Sequence, residues 1–281
     1  MRLLSAVLVV AALRAQDPGE VMRRMAENVE RGAAERVRWV YEQKVRASLV
    51  RSSGEISRWE KREYAVTPGA EKTEKELTAF EGEYRQGRKM YPYTEPGHKY
   101  KDSDIDGELI DDLVKDLVND KKSRDGIPHS LFPLRTKDLA LYRFAAAGEG
   151  EHEGRRFWKI AFEPAEKRGL FVDSDEDGPV RPWKGEAWVD AEEYQPVRIV
   201  TDLAYKIPWA VRTFLGTNLQ QTGFSVTYQR VAPNVWFPVS YGTEFKVSVV
   251  FFYKRTIALG MESTDFRRAE ANSRIEFDLV P

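Results

Sequence analysis

The chain has 281 residues and no cysteine, with 44 Lys and Arg set against 45 Asp and Glu. That length is ample for one large domain or two small ones, and the missing thiol excludes disulfides, thiolate metal sites, a cysteine nucleophile and a lipid anchor on an N-terminal cysteine. A near-neutral balance with no basic stripe among the aromatics gives nucleic-acid binding no electrostatic footing.

The first residues, MRLLSAVLVVAALRAQ, predict a secretory signal. Arg2 is a short positive region, Leu3 to Leu13 an apolar run, and Ala15 the small residue before the cut, although Leu13 stands where a smaller side chain is usual. Cleavage after Ala15 removes Arg2 and Arg14, leaving 42 basic against 45 acidic residues. No later stretch approaches the roughly 20 apolar residues of a membrane span. The expectation is an exported, periplasmic product with a single domain over residues 16–281 and no transmembrane span in the mature chain.

Asp17 as N-cap and Pro18 in the first turn predict a helix, with Val21, Met25, Val29 and Ala33 on one face and an end at Gly32. In VRWVYEQKVRASL, Val37, Trp39, Tyr41, Val45, Ala47 and Leu49 share odd parity, which is a half-buried strand. Residues 57–67 and 72–85 read as two charged strands solvated on one side, and 86–104 as loop. DIDGELIDDLVKDLVND (104–120) puts Ile105, Leu109, Leu113 and Leu117 or Val118 on one stripe of a second helix.

From residue 138 the pattern is strand again: LALYRFAA, then RRFWKIAFEP with Trp158, Ile160 and Phe162 alternating. A loop over 165–182 precedes EAWVD and PVRIVTDLA. GFSVTYQRV alternates Phe224, Val226 and Tyr228, and FKVSVVFFYK reads as one long strand carrying Phe245, Val247, Val249, Phe251 and Tyr253. The last segment, from Ser263 to Phe277, holds a final strand or two. Short turns between strands imply an antiparallel meander.

The chemical motifs are weak. Asp173, Asp175, Asp177 and Gly178 open a calcium-loop pattern, but its twelfth position is Lys184 where a bidentate Glu is needed, so a solvated acidic loop is the better account. GEGEHEG (148–154) has the wrong glycine spacing for a phosphate loop and reads as a hairpin turn. His98, His129 and His152 lie far apart with no second ligand at metal spacing, and neither G-x-S-x-G nor a Walker pattern occurs. No catalytic residue or cofactor is expected, and no metal site beyond weak calcium binding at Asp173, Asp175 and Asp177 as the alternative. WVDAEEYQP, with Asp190, Glu192 and Glu193, reads as a strand-turn-strand whose acids face water, Asp190 bonding backbone two residues on. Ile207, Trp209, Val211, Phe214 and Leu215 form an apolar patch between two strands, read as a plug, a lid over a pocket, or a surface for a membrane or partner.

Three stretches carry a resemblance: W-x-I-x-F-x-P (Trp158 to Pro164), G-E-A-W-V-D-x-E-x-Y-x-P-V-R-I (Gly185 to Ile199) and V-W-F-P (Val235 to Pro238). Together with the helix and strand order over roughly 17–268, they resemble the outer-membrane lipoprotein-sorting, LolA/LolB-like superfamily, in its larger periplasmic members. That resemblance implies an α+β fold: a strongly curved antiparallel sheet, an open half-barrel, with helices covering the concave face and a gap that receives acyl chains. The charged strands near 57–85 and the acidic 165–182 loop depart from it.

The expected lining comes from the apolar parity sets: Trp39, Tyr41, Trp158, Phe162, Phe224, Tyr228, Phe245 and Phe251. The expected function is a non-covalent binding or carrier protein for lipid-like or acylated ligands. The alternatives are a structural or regulatory cell-envelope protein acting through protein contacts, or a secreted hydrolase. Partners are a lipid, an acylated protein or an envelope protein.

Overall fold

The computed structural model describes residues 16–69, 73–119, 123–152, 154–165, 172–174, 178–180, 183–203, 220–249 and 253–269. Its helices are α1 (Pro18–Arg36) and α2 (Ile105–Val118), with 3-10 turns at His129–Leu131 and Thr136–Leu141. The strands are β1 (Trp39–Arg51), β2 (Ile56–Thr67), β3 (Glu74–Gln86), β4 (Lys89–Tyr93), β5 (Tyr142–His152), β6 (Arg155–Pro164), β7 (Val172–Ser174), β8 (Gly178–Val180), β9 (Trp183–Asp190), β10 (Pro196–Leu203), β11 (Gln220–Ala232), β12 (Val235–Val249) and β13 (Tyr253–Arg268).

Eleven of them form one antiparallel sheet in the order β4-β3-β2-β1-β13-β12-β11-β10-β9-β6-β5, while β7 and β8 pair with each other. The sheet does not close, since β4 and β5 are its edges. Bulges at Val40/Glu42, Leu49/Val50, Glu63/Tyr64, Ala146/Gly148 and Thr227/Tyr228 bend its strands around the helices. This is the open α+β half-barrel that the sequence led us to expect.

Asp17 caps α1, its side chain accepting from the Glu20 amide at 3.2 Å. Val21, Met22, Met25, Ala26 and Val29 turn inward against β5, β9 and β12. The helix passes through Gly32 and ends at Arg36, with Val37 as its C-cap. Gly32 is a packing position: a Cβ there would stand 3.0 Å from the guanidinium of Arg36, which folds back over it.

Other expectations need correcting. Residues 86–104 contain β4, and the strand expected from residue 139 starts at Tyr142, after a 3-10 turn. GEGEHEG is mostly the end of β5, which runs to His152. The 165–182 loop carries β7 and β8, with Asp173 on β7. FKVSVVFFYK is two strands, because Val249 of β12 lies opposite Tyr253 of β13. Asp175, Asp177, Phe251, the 207–215 patch and the 1–15 signal lie outside the described residues.

The α2 stripe is turned from the one expected. Ile105 is 49% exposed, while Gly107, Ile110, Asp111, Val114, Leu117 and Val118 are buried. Two ion pairs set that rotation, Asp104 to Arg58 and Asp111 to Arg62. The inner face of β2 is therefore charged: Arg58, Glu60 and Arg62 are all buried beneath α2, where solvated charges were expected.

Candidate functional site

The inner face divides into three regions. Near the start of β1 and β12 it is a filled core. Phe237 is fully buried, with ring centroids of Tyr41, Phe266 and Trp39 at 5.6, 4.6 and 6.4 Å. The Tyr41 hydroxyl donates to the carbonyl of Asp125 at 3.2 Å, and the Tyr228 hydroxyl donates to that of Leu131 at 3.2 Å. Burial pushes both hydroxyls well above the usual tyrosine range. Three of the expected lining residues, Trp39, Tyr41 and Tyr228, thus pack against the chain's own side chains and carbonyls.

The second region is apolar. Registers trace one row across the sheet: Phe144, Phe162, Gly185, Thr201, Phe224, Thr243, Leu259, Ala47 and Glu60. Directly paired residues point to the same face, so small side chains at Gly185, Thr201, Thr243 and Ala47 lie between larger ones. Gly185 is required by close approach, since a Cβ there would stand 1.9 Å from the Val200 carbonyl oxygen. Trp183 meets Phe224 edge-on at 5.0 Å, and Phe224 tilts against Tyr241 at 5.8 Å. Phe144, Trp183, Tyr241 and Phe245 stay half-buried although they pack against the core.

Of the expected lining, Phe162, Phe224 and Phe245 fall in this region, and Trp158 lies apart, against Tyr194 at 5.2 Å. Sequence reasoning missed Trp183, Tyr241 and Phe144. Trp183 shares the parity of Gly185 and Ala187, a signal that was present but lay just before the segment taken as the strand.

The third region is ionic. Arg58, fully buried, donates from Nη1 to Asp104 Oδ2 at 2.7 Å and from Nε to the Tyr93 hydroxyl at 2.8 Å. That hydroxyl donates on to Glu60 Oε1 at 2.8 Å. Arg62 bonds Glu60, and Asp111 at 2.9 Å. Burial, then the Glu60 carboxylate, drives the Tyr93 hydroxyl far up. For Asp111 burial acts upward, but Lys115 and Arg62 outweigh it and hold the carboxyl down. An acyl chain has no favourable place here, because it would displace charge from its partners.

The turn after β9 also differs from expectation. Asp190 does accept from the amides of Glu192 and Glu193 at 3.0 and 2.7 Å, as an Asp-initiated turn should. It does not face water: it is fully buried and gripped by Arg155, which comes from the neighbouring β5–β6 hairpin. Glu193 accepts from Trp236 Nε1 at 2.7 Å and pairs with Arg230 at 2.8 Å. These contacts tie adjacent hairpins together.

His98, His129 and His152 sit on separate segments, the first with its ring stacked on Tyr93 at 5.1 Å. Among the described residues no three His, Asp or Glu side chains group as a metal site, and no helix is long and apolar enough to cross a membrane.

Fold and face together define an open antiparallel sheet whose inner side is part core, part apolar surface and part ion cluster. No family model and no curated protein matches the chain. Solved structures do. A DUF1329 family protein from Desulfovibrio piger matches with TM-score 0.36 and 10% identity over 92% of this chain and 95% of its own. A LolA superfamily protein from Nitrosomonas europaea matches with TM-score 0.29 and 8% identity over 88% and 94%. Lipoprotein LppX of Mycobacterium tuberculosis matches with TM-score 0.28 and 6% identity over 90% and 98%.

Proposed function

We propose that this chain is an exported, periplasmic binding or carrier protein for lipid-like or acylated ligands, held without covalent chemistry. The observation that carries the proposal is the half-burial of Phe144, Trp183, Tyr241 and Phe245 on the inner face, beside the row of small residues. Large aromatics that face inward yet keep solvent contact have apolar area left to bury. An alkyl chain laid along them gains about 0.8 kcal/mol per methylene removed from water, with no cofactor needed. Of the expected lining residues, Phe245 serves this role, with the buried Phe162 and Phe224 packed behind it.

The test is native mass spectrometry of the gently purified chain, joined to displacement of an apolar dye by palmitate. Bound lipid, together with displacement weakened at least tenfold by Phe245→Asp, supports the carrier. Absence of both co-purified lipid and displacement sinks it.

A second proposal, a structural or regulatory envelope protein acting through protein contacts, draws support from the filled core around Phe237, Tyr41 and Tyr228. A ligand-free chain that pulls down one stoichiometric envelope protein favours this alternative.

A further inference from the structure

We infer that the cavity where α2 begins is a binding site for a phosphate-class dianion, free or carried as a lipid headgroup. The cavity encloses about 150 Å³ and is lined by Arg51, Arg58, Arg85, Lys101 and Arg255, against only Asp104 and Asp106. Both acids are already engaged. Asp104 accepts from Arg58 at 2.7 Å and caps α2 through the Gly107 amide at 3.1 Å. Asp106 accepts from Arg255 Nε at 3.0 Å.

Two cations remain without a carboxylate partner, and a third is only loosely paired. Among the described residues neither Arg51 nor Lys101 pairs with a carboxylate, and Arg85 has Glu55 only at 3.8 Å, beyond hydrogen-bonding distance. Arg51 of β1 and Arg255 of β13 stand directly opposite in register, both half-buried, and so share one face. Like charges in that relation destabilise a sheet, and an anion between them reverses the sign. Guanidinium forks match the oxygens of a phosphate, and an excess of two charges or more suits a dianion better than a monocarboxylate. The α2 terminus adds little, because Asp104 already occupies its cap.

The cavity adjoins the apolar region. Arg255 is the register partner of Val247, and the next inner pair on those strands is Ile257 with Phe245. A phosphate held at Arg51 and Arg255 would leave an attached chain pointing toward Phe245. That lipid form of the inference rests on the carrier proposal; the anion site does not.

Calorimetric titration of the full chain with inorganic phosphate, soluble dihexanoyl phosphatidic acid and uncharged dihexanoylglycerol tests it. The comparison is with Arg51→Gln/Lys101→Gln, a double variant that removes two side chains without carboxylate partners. Phosphate should bind the wild type, lose affinity as salt rises, and bind the variant at least tenfold more weakly, while dihexanoylglycerol treats both proteins alike. Phosphatidic acid binding more tightly than phosphate identifies a lipid headgroup, and equal binding identifies free phosphate; each supports the site. No saturable binding of either anion, or equal binding by a variant of unchanged melting temperature, overturns it. Loss of dihexanoylglycerol binding alone counts against the carrier and leaves the anion site standing.

Discussion

Arg155 holds the buried carboxylate of Asp190 through two hydrogen bonds, Nε to Oδ2 at 2.7 Å and Nη2 to Oδ1 at 2.8 Å. The same carboxylate closes the β9–β10 turn through two backbone amides, so one group joins two hairpins. Burial acts to raise the Asp190 pKa, but Arg155 and the Glu193 and Glu192 amides outweigh it and hold the group below the usual range. A carboxyl lowered in the folded state contributes stability above its unfolded pKa of about 3.9, and that contribution fades as pH falls through the folded value. Urea midpoints measured from pH 7 down to pH 3 should therefore fall more steeply for the wild type than for Asp190→Asn. Asp190→Ala, which takes the buried acceptor from the Glu192 and Glu193 amides while Arg155 keeps Glu192 and Glu193 as partners, should cost about 1–3 kcal/mol at neutral pH.

Arg58 and Asp104 form a pair with neither side chain more than 1% exposed. Removing one member leaves an uncompensated charge under α2, so Arg58→Met should destabilise by about 3–5 kcal/mol. Adding Asp104→Asn to it should recover part of that loss, because the stranded carboxylate is gone. A double-mutant cycle by denaturant unfolding reads the coupling directly, and additive losses would show that the pair is not coupled.

Phe237 tests the filled core separately from the ligand surface. Phe237→Ala should lose about 3–5 kcal/mol by opening a cavity among Tyr41, Trp39 and Phe266. Dye displacement by palmitate, measured well below the melting temperature, should be unchanged, in contrast to Phe245→Asp.

Gly107 offers a test that turns on sign. Ala in a helix is worth about 1 kcal/mol over Gly where nothing intervenes. Here a Cβ would stand 2.7 Å from both Arg58 Nη1 and Asp104 Oδ2, each of them buried. Gly107→Ala should therefore lower the melting temperature, and a rise would mean that α2 is held less tightly on β2 than its ion pairs imply.

Much of the architecture was legible because parity and capping are local. The odd-parity set of β1 from Trp39 onward, the Asp17 cap and the alternation of β6 and β11 gave elements and faces correctly, while Val37, taken with the strand, caps α1 instead. The turn after Val249 was hidden by that same parity. Val249 and Tyr253 are paired and four apart, so the alternation runs unbroken through the hairpin. The inner charges of β2 and the rotation of α2 were illegible for another reason. Arg58, Glu60 and Arg62 are buried by partners that lie between 33 and 49 positions away in the chain, as with Tyr93, Asp104 and Asp111. The candidate surface was partly legible: of the residues named for it, Phe245 is half-buried on the apolar inner face and Phe162 and Phe224 are buried beside it, whereas the Tyr41 and Tyr228 hydroxyls bond to carbonyls that composition cannot reveal.

The sheet order carries a consequence for assembly. β1 pairs along its length with β13, Trp39 opposite Arg268, so the first and last of the described strands meet near the middle of the sheet. Two meanders, β1–β4 and β5–β13, can each form from neighbours, but their junction must close a loop of more than 200 residues. Folding should be slow at that step, and an interrupted chain lacking β13 would expose two long unpaired strands, β1 and β12, both open to pairing with other copies. Among the described strands, β13 is the one that makes a single sheet out of two.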